Sequence, residues 1–134
     1  ICTERGGELN GLVTVAKEIQ DNMANATRFF ELCRVTAAPH KPVGPAEKML
    51  VICEIDGQKA GALYDVLKEF ADRGVNMTRI ESRPARTELG AYIFFFDLDV
   101  ADNGEALRAA VAAVARKSKW LKDLGSFPVV RANP

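Results

Sequence analysis

Two short groups of residues in this sequence could bind a small zwitterion. The first, at 61–63, has small residues where a helix is predicted to begin, and the free amides of a helix N-terminus attract a carboxylate or another anion. The second, at 81–84, places an acid, a hydroxyl and a base at the end of a predicted strand. Arg83 or the helix amides could hold a carboxylate, and Glu81 could hold an ammonium group. The two groups consist of Gly61, Ala62, Leu63, Glu81, Ser82, Arg83 and Pro84.

The residues between these groups predict a helix over 62–73 and a strand over 75–82. Apolar side chains recur at i, i+3, i+4, i+7 and i+8, which is typical of one face of a helix. Gly74 follows as a residue that easily takes a left-handed conformation at a helix end. From this chemistry alone, a helix start and a solvated strand end are the simpler interpretation. The apolar face consists of Leu63, Val66, Leu67, Phe70 and Ala71.

Composition and charge exclude several classes of function. The chain has 18 basic and 18 acidic residues, so no basic excess draws it to nucleic acid or to an anionic membrane. No apolar run, including the strand-sized run at 92–96, approaches the roughly 20 residues of a membrane helix, and no signal peptide is visible. Cys2, Cys33 and Cys53 are odd in number and share no metal-ligand spacing. We therefore expect reduced thiols, a cytoplasmic location and no bound metal.

A proline-rich stretch over 36–47 divides the sequence into two blocks. Because its prolines exclude a helix or a central strand, we interpret it as a linker. The first block, 1–35, predicts a helix over 1–8 that ends at the glycines 6 and 7. It continues with a strand or short helix over 11–16 and a strand over 27–33. These elements cannot bury a core alone, and the chain starts at isoleucine rather than methionine, so we expect a fragment of a larger domain.

The second block, 48–128, has the predicted order βαββαβ. Strands are expected over 49–55, 75–82, 91–99 and 120–127, and the second helix is expected to begin at an Asp102 cap with Glu105 three residues later. This order predicts an α+β, ferredoxin-like fold: a four-stranded antiparallel sheet with two helices on one face. The other face must meet solvent, a ligand or another copy. Residues 129–134 are predicted to be a tail.

Several of these segments resemble the prephenate dehydratase family. Residues 61–63 (GAL) and 81–84 (ESRP) resemble the two ligand-loop motifs of that family's ACT domain, and 124–128 (LGSFP) resembles its closing strand. In the first block, 19–22 (IQDN), Asn25 and 27–29 (TRF) resemble the last active-site segment of the catalytic domain. The resemblance covers nearly the whole chain. It implies the C-terminal end of the catalytic domain followed by an ACT regulatory domain.

This resemblance implies an enzyme that converts prephenate to phenylpyruvate, with loss of water and CO2, in L-phenylalanine biosynthesis. No cofactor is implied, because aromatisation drives the step. The ACT domain would bind L-phenylalanine as an allosteric feedback inhibitor. Two copies would pair side by side with the effector between them, as a homodimer or a higher homo-oligomer. Since the first block would supply only one end of an active site, we expect this chain alone to be inactive.

The resemblance also implies roles for single residues. Thr27 would be the catalytic hydroxyl, which gives a positioned hydrogen bond to the departing hydroxyl of prephenate. Arg28 would bind a substrate carboxylate or make a structural pair, and Phe29 would be a core residue or a contact. Residues 61–63 would offer amides and a small apolar wall to phenylalanine, and 81–83 would fix its charged end. Asn76 could add a side-chain hydrogen bond or simply begin a strand.

Two positions depart from the family pattern. Ala60 stands where the family often has proline, so the loop before residue 61 is less stiffened. Phe127 stands where tyrosine is frequent, which removes a hydroxyl group.

Alternative functions remain open beside the dehydratase. A non-enzymatic ACT amino-acid sensor would have no need of the segment 19–29. An RNA-recognition module shares the order βαββαβ and carries aromatic residues on its third strand, as at Tyr92, Phe94 and Phe96. The zero net charge and the acidic residues around that strand argue against RNA binding. A relative that uses arogenate instead of prephenate fits equally well.

Overall fold

A computed structural model describes residues 1–21, 27–34, 44–85, 90–100 and 104–131 of the chain. Contacts divide the chain into a first unit, Ile1–Pro39, and a second unit, His40–Pro134. Asn22, Asn25, Asp102 and most of the proline-rich stretch lie outside the described residues.

The described residues of the first unit contain one short helix, α1, over Glu4–Leu9. The Thr3 hydroxyl caps it by accepting a hydrogen bond from the Gly6 amide at 3.1 Å. The prediction that a helix ends at residues 6 and 7 was therefore wrong, because the cap at Thr3 starts a new helix that includes both glycines. The predictions for 11–16 and 27–33 were also wrong, since neither segment is a helix or a strand. A strand needs a hydrogen-bonding neighbour, and the described residues of this unit offer none.

The second unit has the order βαββαβ and confirms the predicted ferredoxin-like α+β fold. Its four strands form one sheet in the order β2-β3-β1-β4, and every neighbouring pair is antiparallel. The elements are β1 (Lys48–Ile55), α2 (Ala62–Ala71), β2 (Met77–Pro84), β3 (Tyr92–Asp99), α3 (Gly104–Lys117) and β4 (Trp120–Phe127).

The boundaries of α2 and β2 differ from the prediction because of how the helix ends. Gly74 has a left-handed φ of 66°, and the Val75 amide donates back to the Phe70 carbonyl at 3.0 Å. This type of helix end uses residues that were predicted to begin the strand, so β2 starts at Met77. The strand then extends through Pro84, which is tolerated because β2 lies at an edge of the sheet.

The core lies between the sheet and the two helices of the second unit. Side chains that alternate along β1 and β3 point to this face and pack against α2 and α3. The rings of Phe70 on α2 and Phe96 on β3 are 5.5 Å apart between centroids, an aromatic contact that adds to the burial of both rings. The fully buried side chains include Val51, Cys53, Val66, Phe70, Phe96, Leu98 and Val114. This packing fixes the end of β1 against the start of α2.

Candidate functional site

A cleft of about 200 Å³ lies where β1 ends, α2 begins and β3 starts. Its apolar wall is formed by Ile55, Leu63, Tyr92 and Phe94, and its remaining lining comes from the turn between β1 and α2. The volume is below the roughly 300–1,000 Å³ of sites for drug-sized ligands, so the cleft suits a smaller molecule with an apolar group.

The cleft contains the whole first group of predicted residues: Gly61, Ala62 and Leu63 all line it. Sequence reasoning missed Ile55, Tyr92 and Phe94. The register of the sheet brings these three side chains together. Tyr92 lies opposite Ile55, and Phe94 shares the face of Tyr92 because side chains two residues apart on a strand point the same way. From sequence, the two aromatic residues of β3 were considered only as part of a strand and as possible RNA-stacking residues, and not as the wall of an amino-acid site.

The turn before α2 leaves helix amides available. Gly61 is the N-cap of α2 with φ 79°, a left-handed conformation, and no side chain in the described part of the chain caps the helix. The Ala62 amide donates to the Lys59 carbonyl at 3.2 Å, but the amides of Leu63 and Tyr64 have no acceptor among the described residues. Free amides at the positive end of a helix can bind a carboxylate.

A close approach of two glycines shapes one side of this turn. A Cβ added to Gly57 would lie 2.0 Å from the backbone oxygen of Gly90, a distance that no side chain allows. The turn therefore lies directly against Gly90, two residues before β3 begins. The Asp56 carboxylate accepts a hydrogen bond from the Gln58 amide at 3.0 Å, which begins the turn.

An ion pair lies at the rim of the cleft. Lys59 Nζ is 2.7 Å from Asp65 Oδ2 in the first turn of α2. This hydrogen bond lowers the pKa of Asp65 and raises the pKa of Lys59. Both groups are therefore charged at neutral pH.

The second group of predicted residues alternates between the two faces of the sheet. Ser82 lies opposite Phe94 and Pro84 lies opposite Tyr92, so both are on the face that carries the cleft aromatics. Their neighbours in the sequence, Glu81 and Arg83, are on the other face. Only half of the group therefore shares a face with the cleft of the same chain.

The charges of this second group neutralise one another within the chain. Glu81 accepts a hydrogen bond from Arg83 Nε at 2.8 Å and forms a further ion pair with Arg79. These hydrogen bonds, first from Arg83 and then from Arg79, lower the pKa of Glu81. A ligand that used Arg83 would have to compete with Glu81 for the guanidinium group.

Asn76 lies far from the cleft of its own chain. Its side-chain amide donates to Asp99 Oδ2 at 2.5 Å, and Lys48 Nζ lies 2.5 Å from the other oxygen of the same carboxylate. These contacts, with Lys48 first, lower the pKa of Asp99. Asp99 ends β3, whereas Tyr92 begins it, and about 3.4 Å per residue separates them. The structure does not bring Asn76 together with residues 61–63 in one chain.

The predicted catalytic residues lie in the first unit, in a segment without regular structure. Thr27, Arg28 and Phe29 are all exposed. The Arg28 guanidinium carbon lies 6.0 Å from the centroid of the Phe30 ring, which is the range of a cation–π contact. In the second unit the predicted residues 61–63 line a cleft. In the first unit the Thr27 hydroxyl and the Arg28 guanidinium group lie in an exposed segment without regular structure.

Among the residues that the structure describes, no cluster of His, Cys, Asp and Glu side chains could hold a metal ion. The same residues include no helix that is both long and apolar enough to cross a membrane.

Comparison with known proteins identifies the family. The model of the ACT domain family matches residues 42–115. A curated relative, the prephenate dehydratase of Methanocaldococcus jannaschii, is 35% identical over 129 residues, which cover 96% of this chain and 46% of that protein. The chain thus spans about half the length of this relative.

Solved structures agree with this relationship. A prephenate dehydratase from Arthrobacter aurescens, solved in complex with L-Phe, has a TM-score of 0.56 and 35% identity, over 70% of this chain and 33% of the other. A structure described as a novel type of quorum quenching acylase has a TM-score of 0.59 and 29% identity, over 72% and 34%. The chain therefore belongs to the ACT domain family, and its similarity to a prephenate dehydratase extends over nearly its full length.

Proposed function

We propose that this chain is the regulatory part of a prephenate dehydratase and that its cleft binds L-phenylalanine. The observation that carries the proposal is the cleft at residues 61–63, in a fold whose solved relative was crystallised with L-Phe. The cleft combines an apolar wall with free helix amides. These features suit the ring and the carboxylate of one amino acid.

In this proposal the two ends of the effector contact different parts of the cleft. The ring packs against Ile55, Tyr92 and Phe94, and the carboxylate accepts hydrogen bonds from the amides of Leu63 and Tyr64. Tyrosine carries an added hydroxyl, and burying that group among apolar side chains without a partner is unfavourable. Binding is therefore selective for phenylalanine.

We propose that residues 81–84 act on the cleft of a second copy. Ser82 and Pro84 are exposed on an edge strand, which a second chain can approach. Glu81 and Arg83 already form an ion pair with each other, so the effector can bind to either of them only when it displaces the other. The proposed assembly is a homodimer with the effector between the copies.

Calorimetric titration of the chain with L-phenylalanine, L-tyrosine and L-tryptophan tests effector binding. Saturable binding of phenylalanine alone is expected. Ser82→Ala removes one neutral hydrogen bond and weakens the affinity about 2- to 10-fold, whereas Arg83→Ala removes a charged hydrogen bond that forms once the effector displaces Glu81 from Arg83, and weakens the affinity about 10- to 100-fold. Lys122→Ala, on the opposite edge strand β4, is the matched control and leaves the affinity unchanged. Absence of binding to a folded, dimeric chain contradicts the proposal.

We further propose that Thr27, Arg28 and Phe29 belong to the active site of the parent enzyme, which converts prephenate to phenylpyruvate. The support is the similarity to prephenate dehydratases, which includes the segment that carries these residues. The chain alone is expected to form no phenylpyruvate. In the full-length enzyme, Thr27→Val removes activity and Thr27→Ser retains part of it. Equal activity of the two variants contradicts a role for the hydroxyl group.

The structural similarity to the quorum quenching acylase favours a second candidate, an acylase. An ACT sensor without catalytic function is a third. Assaying the full-length protein for release of phenylpyruvate and for hydrolysis of an acylated amine separates all three, since a sensor shows neither activity.

A further inference from the structure

We infer that the ion pair between Lys59 and Asp65 positions the turn that forms the cleft. The pair holds residues 57–61 against the first turn of α2 and so presents the free amides to the effector. The inference deepens the proposed function and rests on it for the identity of the ligand. Lys59 also lines the cleft, but it and Asp65 act here as positioning residues and not as ligand contacts.

Lys59 reaches α2 through two separate bonds. Its side chain lies 2.7 Å from the Asp65 carboxylate, and its backbone carbonyl accepts a hydrogen bond from the Ala62 amide at 3.2 Å. Lys59 is thus bonded to Ala62 at the start of α2 and to Asp65 about one helical turn further on, and these bonds restrict how far residues 57–61 can move away from the helix. The two bonds together define the angle at which the chain enters α2.

Asp65 is the fixed partner of the pair. Its amide donates to the Gly61 carbonyl at 2.9 Å. Its own carbonyl accepts a hydrogen bond from Lys117 Nζ at the end of α3, at 3.2 Å. An acidic side chain in the first turn also interacts favourably with the helix dipole. Asp65 is therefore held by α3 and by its own helix, so that Lys59 and its turn are the parts that the pair restrains.

Such a restraint matters because the sequence of the turn makes its ordering costly in conformational entropy. Gly57 and Gly61 bound it, and glycine loses more conformational freedom on ordering than any other residue. Position 60 is alanine, which leaves φ free, whereas a proline would fix it. The ion pair between Lys59 and Asp65 restricts the movement of this turn through side chains, where a proline would restrict it through the backbone.

The expected size of the effect is small, because the pair is partly exposed: the side chains of Lys59 and Asp65 retain 62% and 37% of their accessible surface. Exposed pairs contribute little to stability. We expect removal of the pair to weaken effector affinity by about two- to fivefold, and the loss to shrink at high salt, where the unaltered pair is itself screened.

Hydrogen exchange in the absence of any ligand gives the first test. Lys59→Met keeps the aliphatic part of the side chain and removes its charge. The amides of Gln58, Lys59 and Ala62, which donate hydrogen bonds to Asp56 or Lys59, are expected to exchange faster in this variant than in the unaltered chain. The control is Lys68→Met, which breaks the pair between Lys68 and Asp72 on the same helix, 2.5 Å long and similarly exposed, and leaves exchange in 57–64 unchanged. Unchanged exchange in Lys59→Met overturns the inference, whether or not the chain binds L-phenylalanine.

A rescue experiment separates positioning from direct contact with the ligand. Ala60→Pro is added to Lys59→Met, because proline restrains the turn through the backbone and the Ala60 amide donates to no described residue. Calorimetric affinity for L-phenylalanine is expected to fall in Lys59→Met, to recover in the double variant, and to be retained in Lys59→Arg. A loss that proline does not restore shows that Lys59 touches the ligand and overturns the positioning role. If the unaltered chain binds no L-phenylalanine, the proposed function fails, and the exchange result alone decides the inference.

Discussion

The two units of the chain differ in what happens to their apolar side chains. In the second unit Val51, Val66 and Phe96 have no accessible surface. In the first unit Val13 and Phe29 keep 87% and 86% of theirs, and Gly7 is the only buried residue among those described. The second unit buries a core of its own, whereas the first unit, within its described residues, does not.

This difference shows which structural signals act locally and which need a partner. Helix α1 forms in the first unit because its cap and its hydrogen bonds lie within a few residues of each other. A strand gains its hydrogen bonds and its burial only from neighbouring strands. The aromatic segment 27–33, which has a typical strand composition, therefore shows no strand in the first unit.

Removing a large core side chain gives the largest expected effect. Phe96 packs against Phe70 and Phe94 at the centre of the second unit. Phe96→Ala is expected to reduce the free energy of unfolding by about 3–5 kcal/mol, from lost burial and the cavity left behind. Urea denaturation followed by circular dichroism measures the change.

The matching substitution in the first unit is Phe29→Ala. Since Phe29 is almost fully exposed, the expected change is within about 0.5 kcal/mol. A loss comparable to that of Phe96→Ala would show that Phe29 is buried in the protein in solution. The contrast between the two units would then not hold.

A methyl group at Gly57 gives a smaller loss. A Cβ at this position collides with the Gly90 carbonyl, so the turn beside the cleft must move. We expect Gly57→Ala to reduce the free energy of unfolding by about 1–3 kcal/mol and to weaken effector binding. In the first unit, a Cβ at Gly7 would make only an ordinary contact, 3.7 Å from Cys2 Sγ. Gly7→Ala therefore raises the local helix content without lowering the midpoint of urea unfolding, and a lowered midpoint would contradict this.

The fold of the second unit could be predicted from sequence because several patterns agree. The helical spacing of Val66 and Phe70, the glycine at residue 74 and the β-branched run of β1 all indicate the same order of elements. The exact ends could not be predicted, because the helix end at Val75 depends on a hydrogen bond to Phe70. The helical spacing of Leu107, Ala110, Val111, Val114 and Ala115 predicts the buried face of α3 only in part, since Ala113 is buried and Ala115 is exposed.

The candidate site was predictable only where it is local. Residues 61–63 form a continuous turn, so the sequence shows them together. Tyr92 and Phe94 reach the cleft through the pairing of β1 and β3, which depends on register and not on sequence distance. Ser82 and Arg83 point to opposite faces of the sheet because side chains alternate along a strand. The sequence does not show which of the two faces carries the cleft, so it could not show which of these residues faces it.

The last and smallest expected effect concerns pH. Glu69 bonds to Lys117 and also to Arg73 Nη1, the latter at 2.5 Å. These contacts, with Lys117 first, hold the pKa of Glu69 below its ordinary value of 4.5. In the first unit the Glu4 carboxylate pairs with Lys17 at 2.5 Å, which lowers the pKa of Glu4 as well. Similar ion pairs thus occur in a unit with a core and in a unit whose described residues bury no core.

The sign of the effect follows from proton binding. An unfolded chain binds a proton to such a carboxylate at a higher pH than the folded chain does. Each pair therefore stabilises the folded state above about pH 4.5, and this stabilisation is lost as the pH falls through the lower folded pKa.

Trp120, the single tryptophan of the chain, donates to Glu54 in the second unit, and its fluorescence reports the unfolding of that unit. Glu69→Gln is expected to lower the Tm at pH 7 and to converge with the unaltered chain toward pH 3. Glu4→Gln leaves the Trp120 transition unchanged at every pH, because its pair belongs to the other unit. If Glu4→Gln also shifts that transition, the two units do not unfold independently.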